Sequence, residues 1–263
     1  MKSLPTLLLA LLLLLIPLLL IQGCAGTRVG PAKPIDLQDY DAAAILDQLN
    51  HNQLLLHSVK GLSKVRIYSG GDKFSFKQVV IADEPAMLYL EILSLFGRTE
   101  GKLISDGSEA HLLTRHEHLV FDRYDDFDLS LLYPAVPAGI GINFLVSVLL
   151  GKPHLIRTSD EPYSIDVDSY LLLLTPESES IDPHKLWFDP ITLLLKKYSS
   201  STKGGGELTY KFSDYMQTQG GVFFPRKIAL SMKDFTLKID YDKDVEINIE
   251  LKPHFFTLSS SSN

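Results

Sequence analysis

Val222-Phe-Phe-Pro-Arg-Lys-Ile-Ala-Leu-Ser-Met232, Phe235-Thr-Leu-Lys-Ile-Asp-Tyr241 and Val245-Glu-Ile-Asn-Ile-Glu-Leu251 follow one another near the C-terminus. In the last run Val245, Ile247, Ile249 and Leu251 alternate with Glu246, Asn248 and Glu250, and Lys227 to Met232 alternates in the same way. Successive side chains of a strand point to opposite faces, so this period gives a surface that is apolar on one side and wet on the other. Three such runs in a row predict consecutive strands of a curved sheet with one greasy face.

Working outward, the same period fills most of the chain. Val65 and Ile67, then Phe74 and Phe76, flank Ser69-Gly70-Gly71-Asp72, the signature of a hairpin. Leu88, Leu90 and Ile92 form the next run, Lys102 to Ser105 another, and Asp106-Gly107 turns the chain into His111 to Thr114. Further strands are expected at Ile165 to Leu174, Lys185 to Phe188, Leu193 to Tyr198 and Glu207 to Phe212. With no helix between successive strands, the sheet must be antiparallel.

Two segments break the pattern. Asp41 is placed to cap a helix through about Gln53, with Ile45, Leu46 and Leu49 on one side. Residues 140–150 contain Ile142, Phe144, Leu145, Val146, Val148, Leu149 and Leu150 and have almost no polar face, with Gly151 and Pro153 as a stop. A helix apolar all round must be buried, and at about 11 residues it is too short to span a bilayer. The expected fold is mainly β with helices: an antiparallel, incomplete (half) β-barrel wrapped around apolar plug or lid helices, covering residues 38–256, with a disordered tail at 257–263.

The N-terminus carries a separate message. Met1, Lys2 and Ser3 precede Leu4–Ile21, made almost wholly of Leu, Ile and Ala apart from Pro5, Thr6 and Pro17. A positive start and a long apolar stretch describe a signal peptide, although about 20 apolar residues also suit an uncleaved spanning helix. Ile21-Gln22-Gly23-Cys24 resembles the lipobox of bacterial lipoproteins. That resemblance implies removal of residues 1–23, lipidation of Cys24, and a lipidated N-terminus and flexible tether over 24–37. Cys24 is the only cysteine, so it joins neither an intramolecular disulfide nor a multi-cysteine metal site. Several acyl chains hold a protein on a membrane firmly where one does not. Ala25 is not the Asp that resembles an inner-membrane retention signal, so the expected location is the cell envelope, anchored in the outer membrane and facing the periplasm.

Charge and motifs exclude other classes. The chain has 25 basic and 32 acidic side chains, a formal charge of −7; without Lys2 it becomes −8, and no Lys/Arg run tracks a phosphate backbone, so nucleic acid is not an expected partner. His116 and His118 share a face if residues 116–118 are a strand, and His111 is nearby, but no His-Glu-x-x-His motif is present and no metal site is expected. Asp122, Asp125, Asp126 and Asp128 lack the Gly and terminal Glu of a calcium loop. No Gly-x-Ser-x-Gly elbow occurs. Neither catalytic residues nor a cofactor is expected, and the chain does not read as an enzyme.

The order of elements, lipobox cysteine, helix, strand meander, apolar helix and further strands, resembles the LolA/LolB superfamily of periplasmic lipoprotein-sorting proteins, its lipid-anchored outer-membrane receptor LolB more than its soluble carrier LolA. Leu90 to Glu100 (Leu-Glu-Ile-Leu-Ser-Leu-Phe-Gly-Arg-Thr-Glu) is similar to the family's strand, apolar-Gly loop and strand. Asn143 to Pro153 is similar to its helix ending in Leu-Gly-x-Pro, and Phe188-Asp189-Pro190 with Leu194 to Lys197 resembles its paired strands. The resemblance implies a concave apolar face that receives the acyl chains of a lipoprotein or lipid, and assistance in lipoprotein localisation with a periplasmic LolA-like carrier as partner. Leu90, Ile92, Phe144, Val148, Leu230, Met232 and Ile247 are the lining candidates. Leu95 and Phe96 are the candidates for a membrane-facing loop. The alternatives are a dry, filled interior serving a non-enzymatic envelope structural or interaction lipoprotein, and a Phe96 folded back onto the core.

Overall fold

Each strand lies antiparallel to its neighbours in the computed structural model, which describes residues 35–94, 96–133, 136–153, 162–177, 183–201 and 206–258. The first meander comprises β1 (Ser58–Ser69), β2 (Asp72–Asp83), β3 (Met87–Leu93), β4 (Thr99–Asp106), β5 (Ala110–Thr114) and β6 (His118–Phe121). The second comprises β7 (Tyr163–Asp168), β8 (Leu171–Pro176), β9 (His184–Phe188), β10 (Leu195–Ser201), β11 (Glu207–Gln217), β12 (Phe223–Met232) and β13 (Phe235–Tyr241). Pairing of β13 with β1 joins the two meanders into one sheet, in the order β6-β5-β4-β3-β2-β1-β13-β12-β11-β10-β9-β8-β7. A two-residue strand, β14 (Glu246–Ile247), pairs with the start of β1. The edges β6 and β7 do not pair, so the barrel is open.

Register puts the apolar set on one face. Val65 and Ile67 of β1 stand opposite Phe76 and Phe74 of β2 and opposite Ile239 and Leu237 of β13. Leu90 pairs with Val80 and Leu103, and Leu230 with Leu237 and Tyr210. These residues form the floor of the concavity, and Val80, Leu88, Leu90 and Leu103 are wholly withdrawn from water.

The two open edges are consecutive in sequence, and the apolar helix sits in the link between them. This helix, Ile142–Leu149, packs against β2, β3 and β12. Helix α1 (Ala42–Leu55) precedes it in the chain, so it is α2. In α2, Ile142, Leu145, Val146, Val148 and Leu149 are buried, each gaining about 1.5–3 kcal/mol relative to exposure. The predicted stop is the observed one: Gly151 takes φ 68°, its N–H donates to the Val148 carbonyl and that of Lys152 to the Ser147 carbonyl. A Cβ at Gly151 would lie 2.5 Å from Pro225 Cγ, so space and backbone conformation both require glycine. The Tyr241 hydroxyl donates to the Leu149 carbonyl at 3.0 Å, satisfying one acceptor that the helix end leaves over.

Asp41 caps α1 as expected, accepting from the Ala43 N–H at 3.0 Å. Asn52 pins the helix to the sheet by bonding both backbone groups of Phe223, at 2.9 and 2.7 Å. No helix among the described residues is long and apolar enough to cross a membrane.

Two expectations are corrected. Ile165 to Leu174 is not one strand: Ser169 and Tyr170 adopt positive φ and fold it into the hairpin of β7 and β8. The run Val245 to Leu251, despite its clean alternation, is strand only at Glu246–Ile247. Asn248 turns to φ 56°, its amide side chain accepts from the His57 N–H at 3.0 Å and donates to the Leu55 carbonyl at 2.6 Å, and its own N–H donates to the Ser58 carbonyl. Tying down the junction of α1 and β1 ends the ladder there.

Candidate functional site: an apolar cleft at one rim of the concave face

Ile67, Phe74, Phe76, Ile92, Gly101 and Thr114 share the concave face by register. They lie at the end of the sheet that also carries the β1–β2 and β3–β4 turns. Over them folds the segment after β6, where a 3-10 turn at Leu129–Leu131 leads to Leu132 and Tyr133. The turn is held by Asp128, whose carboxylate accepts from Ser130 N–H at 2.8 Å, from the Ser130 hydroxyl and from Gly139 N–H; these bonds keep its pKa below the ordinary carboxylate value although burial opposes them. Between floor and cover is a cleft of about 340 Å³ lined by Ile67, Phe74, Phe76, Ile92, Leu132 and Tyr133, with Glu100, Gly101 and Thr114 at its edge. That volume lies at the low end of the roughly 300–1,000 Å³ range of small-molecule sites.

Tyr133 stacks on Phe76 with ring centroids 5.2 Å apart. Its hydroxyl donates to Gln78 Oε1 at 2.9 Å in a buried contact. Burial raises the phenol well above its ordinary pKa of 10.0, so it stays neutral, and a cleft without charge at its back suits hydrocarbon. Gly101 lies directly beneath the cover, where a Cβ would stand 3.6 Å from Leu132 Cδ1, in ordinary van der Waals contact.

Two larger grooves are chemically different. One of about 900 Å³ lies on the outer face beneath the C-terminal 3-10 turn Pro253–Phe256 and includes Glu91, Lys102, Glu100 and Arg115, which form two ion pairs. The other, about 680 Å³, lies between α1 and α2 and contains the Lys152–Glu84 pair at 2.7 Å. Desolvating ion pairs works against an acyl chain in either groove.

The lining candidates separate. Ile92 lines the cleft. Leu90, Val148 and Leu230 are buried in the core around α2, while Phe144, Met232 and Ile247 are half-buried away from the cleft. Sequence reasoning missed Ile67, Phe74, Phe76, Leu132 and Tyr133 as lining residues; the first three were legible as one face of the β1–β2 hairpin, whereas Leu132 and Tyr133 sit in a segment without period. Cys24 and Leu95 lie outside the described residues. Phe96 does not fold back: it is 91% exposed at the tip of the β3–β4 turn, four residues beyond Ile92. His116 lies in the turn before β6, which starts at His118, so the two are not partners on one strand. Among the described residues, no three or more His, Cys, Asp or Glu side chains gather as a metal-binding group.

No family model matches the sequence, and neither does any curated protein. Solved structures do match the fold. A LolA-superfamily protein from Nitrosomonas europaea aligns over 83% of this chain and 98% of its own, with TM-score 0.51 and 14% identity. A domain assigned to outer-membrane lipoprotein sorting, from Vibrio parahaemolyticus, covers 82% and 97% with TM-score 0.50 and 11% identity. A DUF1329-family protein from Desulfovibrio piger covers 82% and 97% with TM-score 0.50 and 15% identity. The antiparallel sheet that fails to close, with a buried helix crossing its hollow, is the LolA-like open-barrel fold.

Proposed function

We propose that the protein is a lipid-anchored envelope protein, held through Cys24, that takes an acyl chain of a lipoprotein or lipid into the cleft at the rim of its half-barrel and assists lipoprotein localisation at the outer membrane. The observation that carries this reading is the cleft itself: a slot walled by Ile67, Phe74, Phe76, Ile92, Leu132 and Tyr133, with a single charged side chain, Glu100, at its edge. The lipoprotein-sorting role named for the Vibrio neighbour and the lipobox-like Ile21-Gln22-Gly23-Cys24 agree with it. No catalytic group is required, because transfer of hydrocarbon between apolar surfaces makes and breaks no bond.

The test is mass spectrometry of lipid carried by the full-length protein purified in mild detergent, followed by titration of the delipidated protein with a fluorescent long-chain fatty acid. Stoichiometric acyl lipid and saturable binding are expected. Protein that carries none and binds none sinks the reading.

A second reading, an envelope interaction module without a lipid ligand, has one observation in its favour: the floor beneath α2 is closed to solvent, with Val80, Leu88, Leu90 and Leu103 at 0% exposure. It requires a protein partner recovered by crosslinking in the absence of bound lipid.

A further inference from the structure

On the outer face of the first meander, opposite the cleft, β5 and β6 bring two histidines together. His111 pairs with Val120 and Leu113 with His118, so His111 and His118 are diagonal neighbours on one face. Their rings are 5.5 Å apart at 42°, and His118 Nε2 lies 3.3 Å from His111 Nδ1. The other nitrogen of His111, Nε2, is 2.9 Å from Glu109 Oε1. With its Nε2–H donated to the carboxylate, His111 turns Nδ1 toward His118 Nε2 in a hydrogen bond, and a metal ion would take the place of the shared proton.

We propose that His111 Nδ1 and His118 Nε2 are two ligands of a zinc-type divalent metal ion, with Glu109 as the carboxylate that orients His111. The spacing fits: two nitrogens at about 2.0–2.1 Å from a tetrahedral ion are about 3.3–3.4 Å apart. A carboxylate on the far nitrogen of a ligating imidazole is the usual outer partner, which fixes the tautomer and makes the ligand more basic. Imidazole donors select zinc, copper or nickel over magnesium and calcium. Neighbouring cations do not oppose the charge, since Lys102 is 3.6 Å from Glu91 and Arg115 is paired with Glu100. His118 also lines the 900 Å³ outer groove. The two coordination positions that the protein leaves open belong to water or to a donor entering that groove. The pair escaped notice in the sequence because His118 meets His111 across the ladder, not His116 along it.

The test is calorimetric titration of the full-length protein in detergent with zinc chloride, repeated on His111→Gln, His118→Gln and Glu109→Gln. One zinc per chain is expected, weakened at least tenfold by either histidine change and 10–100-fold by Glu109→Gln. Unchanged far-UV circular dichroism in the variants ties the loss to the ligands. Absence of binding, or equal binding in the His111→Gln and His118→Gln proteins, overturns the proposal. Fatty-acid titration of the same variants remains unchanged, so this result and the acyl-binding result are read separately.

Discussion

The Tyr133 hydroxyl and Gln78 Oε1 form a 2.9 Å hydrogen bond that links the cover of the cleft to its floor. Gln78 is only 2% exposed. Tyr133→Phe keeps the stacking on Phe76 but leaves the amide oxygen without that donor, and an unsatisfied buried acceptor is worth about 1–3 kcal/mol. Urea unfolding should show a loss of that size with an unchanged slope. A loss below about 0.5 kcal/mol, the ordinary range of surface substitutions, would mean that the bond does not hold the cover.

Alkaline pH tests three buried phenols together. Burial raises the pKa of Tyr133, Tyr215 and Tyr241 above 10.0, and Tyr241 and Tyr215 donate to the Leu149 and Leu195 carbonyls, bonds that a phenolate cannot make. For a group whose folded-state pKa is raised, stability is fully present below the unfolded value and falls as pH rises beyond it. The loss therefore begins near pH 10, at up to about 1.4 kcal/mol per pH unit for each phenol. Urea midpoints at pH 9, 10 and 11 should fall slightly over the first interval and about three times as much over the second. Absorbance at 295 nm should show these phenols ionising with unfolding; full titration of all 11 tyrosines in the folded state would contradict their burial.

How far the sequence discloses this structure depends on whether a side chain's fate is decided by its own strand or by a distant one. Leu88, Leu90 and Ile92, or Leu230 and Met232, fall on one face of their strands as the alternation predicts, because period two alone separates the faces. The α2 stop is equally local, resting on Gly151. The end of β14 is not local: Asn248 leaves the strand because Leu55, His57 and Ser58, nearly 200 positions earlier, offer it hydrogen bonds. The cleft fails for the same reason. Its floor follows from alternation, but its cover is a 3-10 turn held by Asp128, with Tyr133 oriented by Gln78, 55 positions away.

Gly101 offers a way to close the cleft from its floor. The position takes no special φ, and valine is at home in a strand. Its Cβ would already stand 3.3 Å from the Leu113 carbonyl oxygen and 3.6 Å from Leu132 Cδ1, so the added methyl groups of Gly101→Val press into the slot. Overpacking of this kind destabilises by about 1–3 kcal/mol. Fatty-acid binding should fall at least tenfold while the protein remains folded at 25 °C. Undiminished affinity would place the acyl chain somewhere other than this cleft.

Phe96 is held outward by the geometry of its turn. Ser94 N–H donates to the Arg98 carbonyl at 2.8 Å, Gly97 N–H to the Ser94 carbonyl at 3.0 Å, and Arg98 N–H to the Ser94 hydroxyl at 3.0 Å. A 91% exposed ring on a hydrogen-bonded turn has a use if it enters a bilayer during delivery. Burial of a phenylalanine contributes about 1.5–3 kcal/mol, a factor of roughly 10 to 150 in partitioning. Phe96→Glu touches no core residue and should leave the thermal midpoint unchanged within about 1–2 °C. Membrane binding of the anchored protein is dominated by its lipid, so the informative reading is the rate at which a bound fluorescent acyl ligand passes to vesicles. A drop of about tenfold or more is expected, with equilibrium affinity for the ligand preserved; an unchanged rate would make the exposed ring irrelevant to delivery.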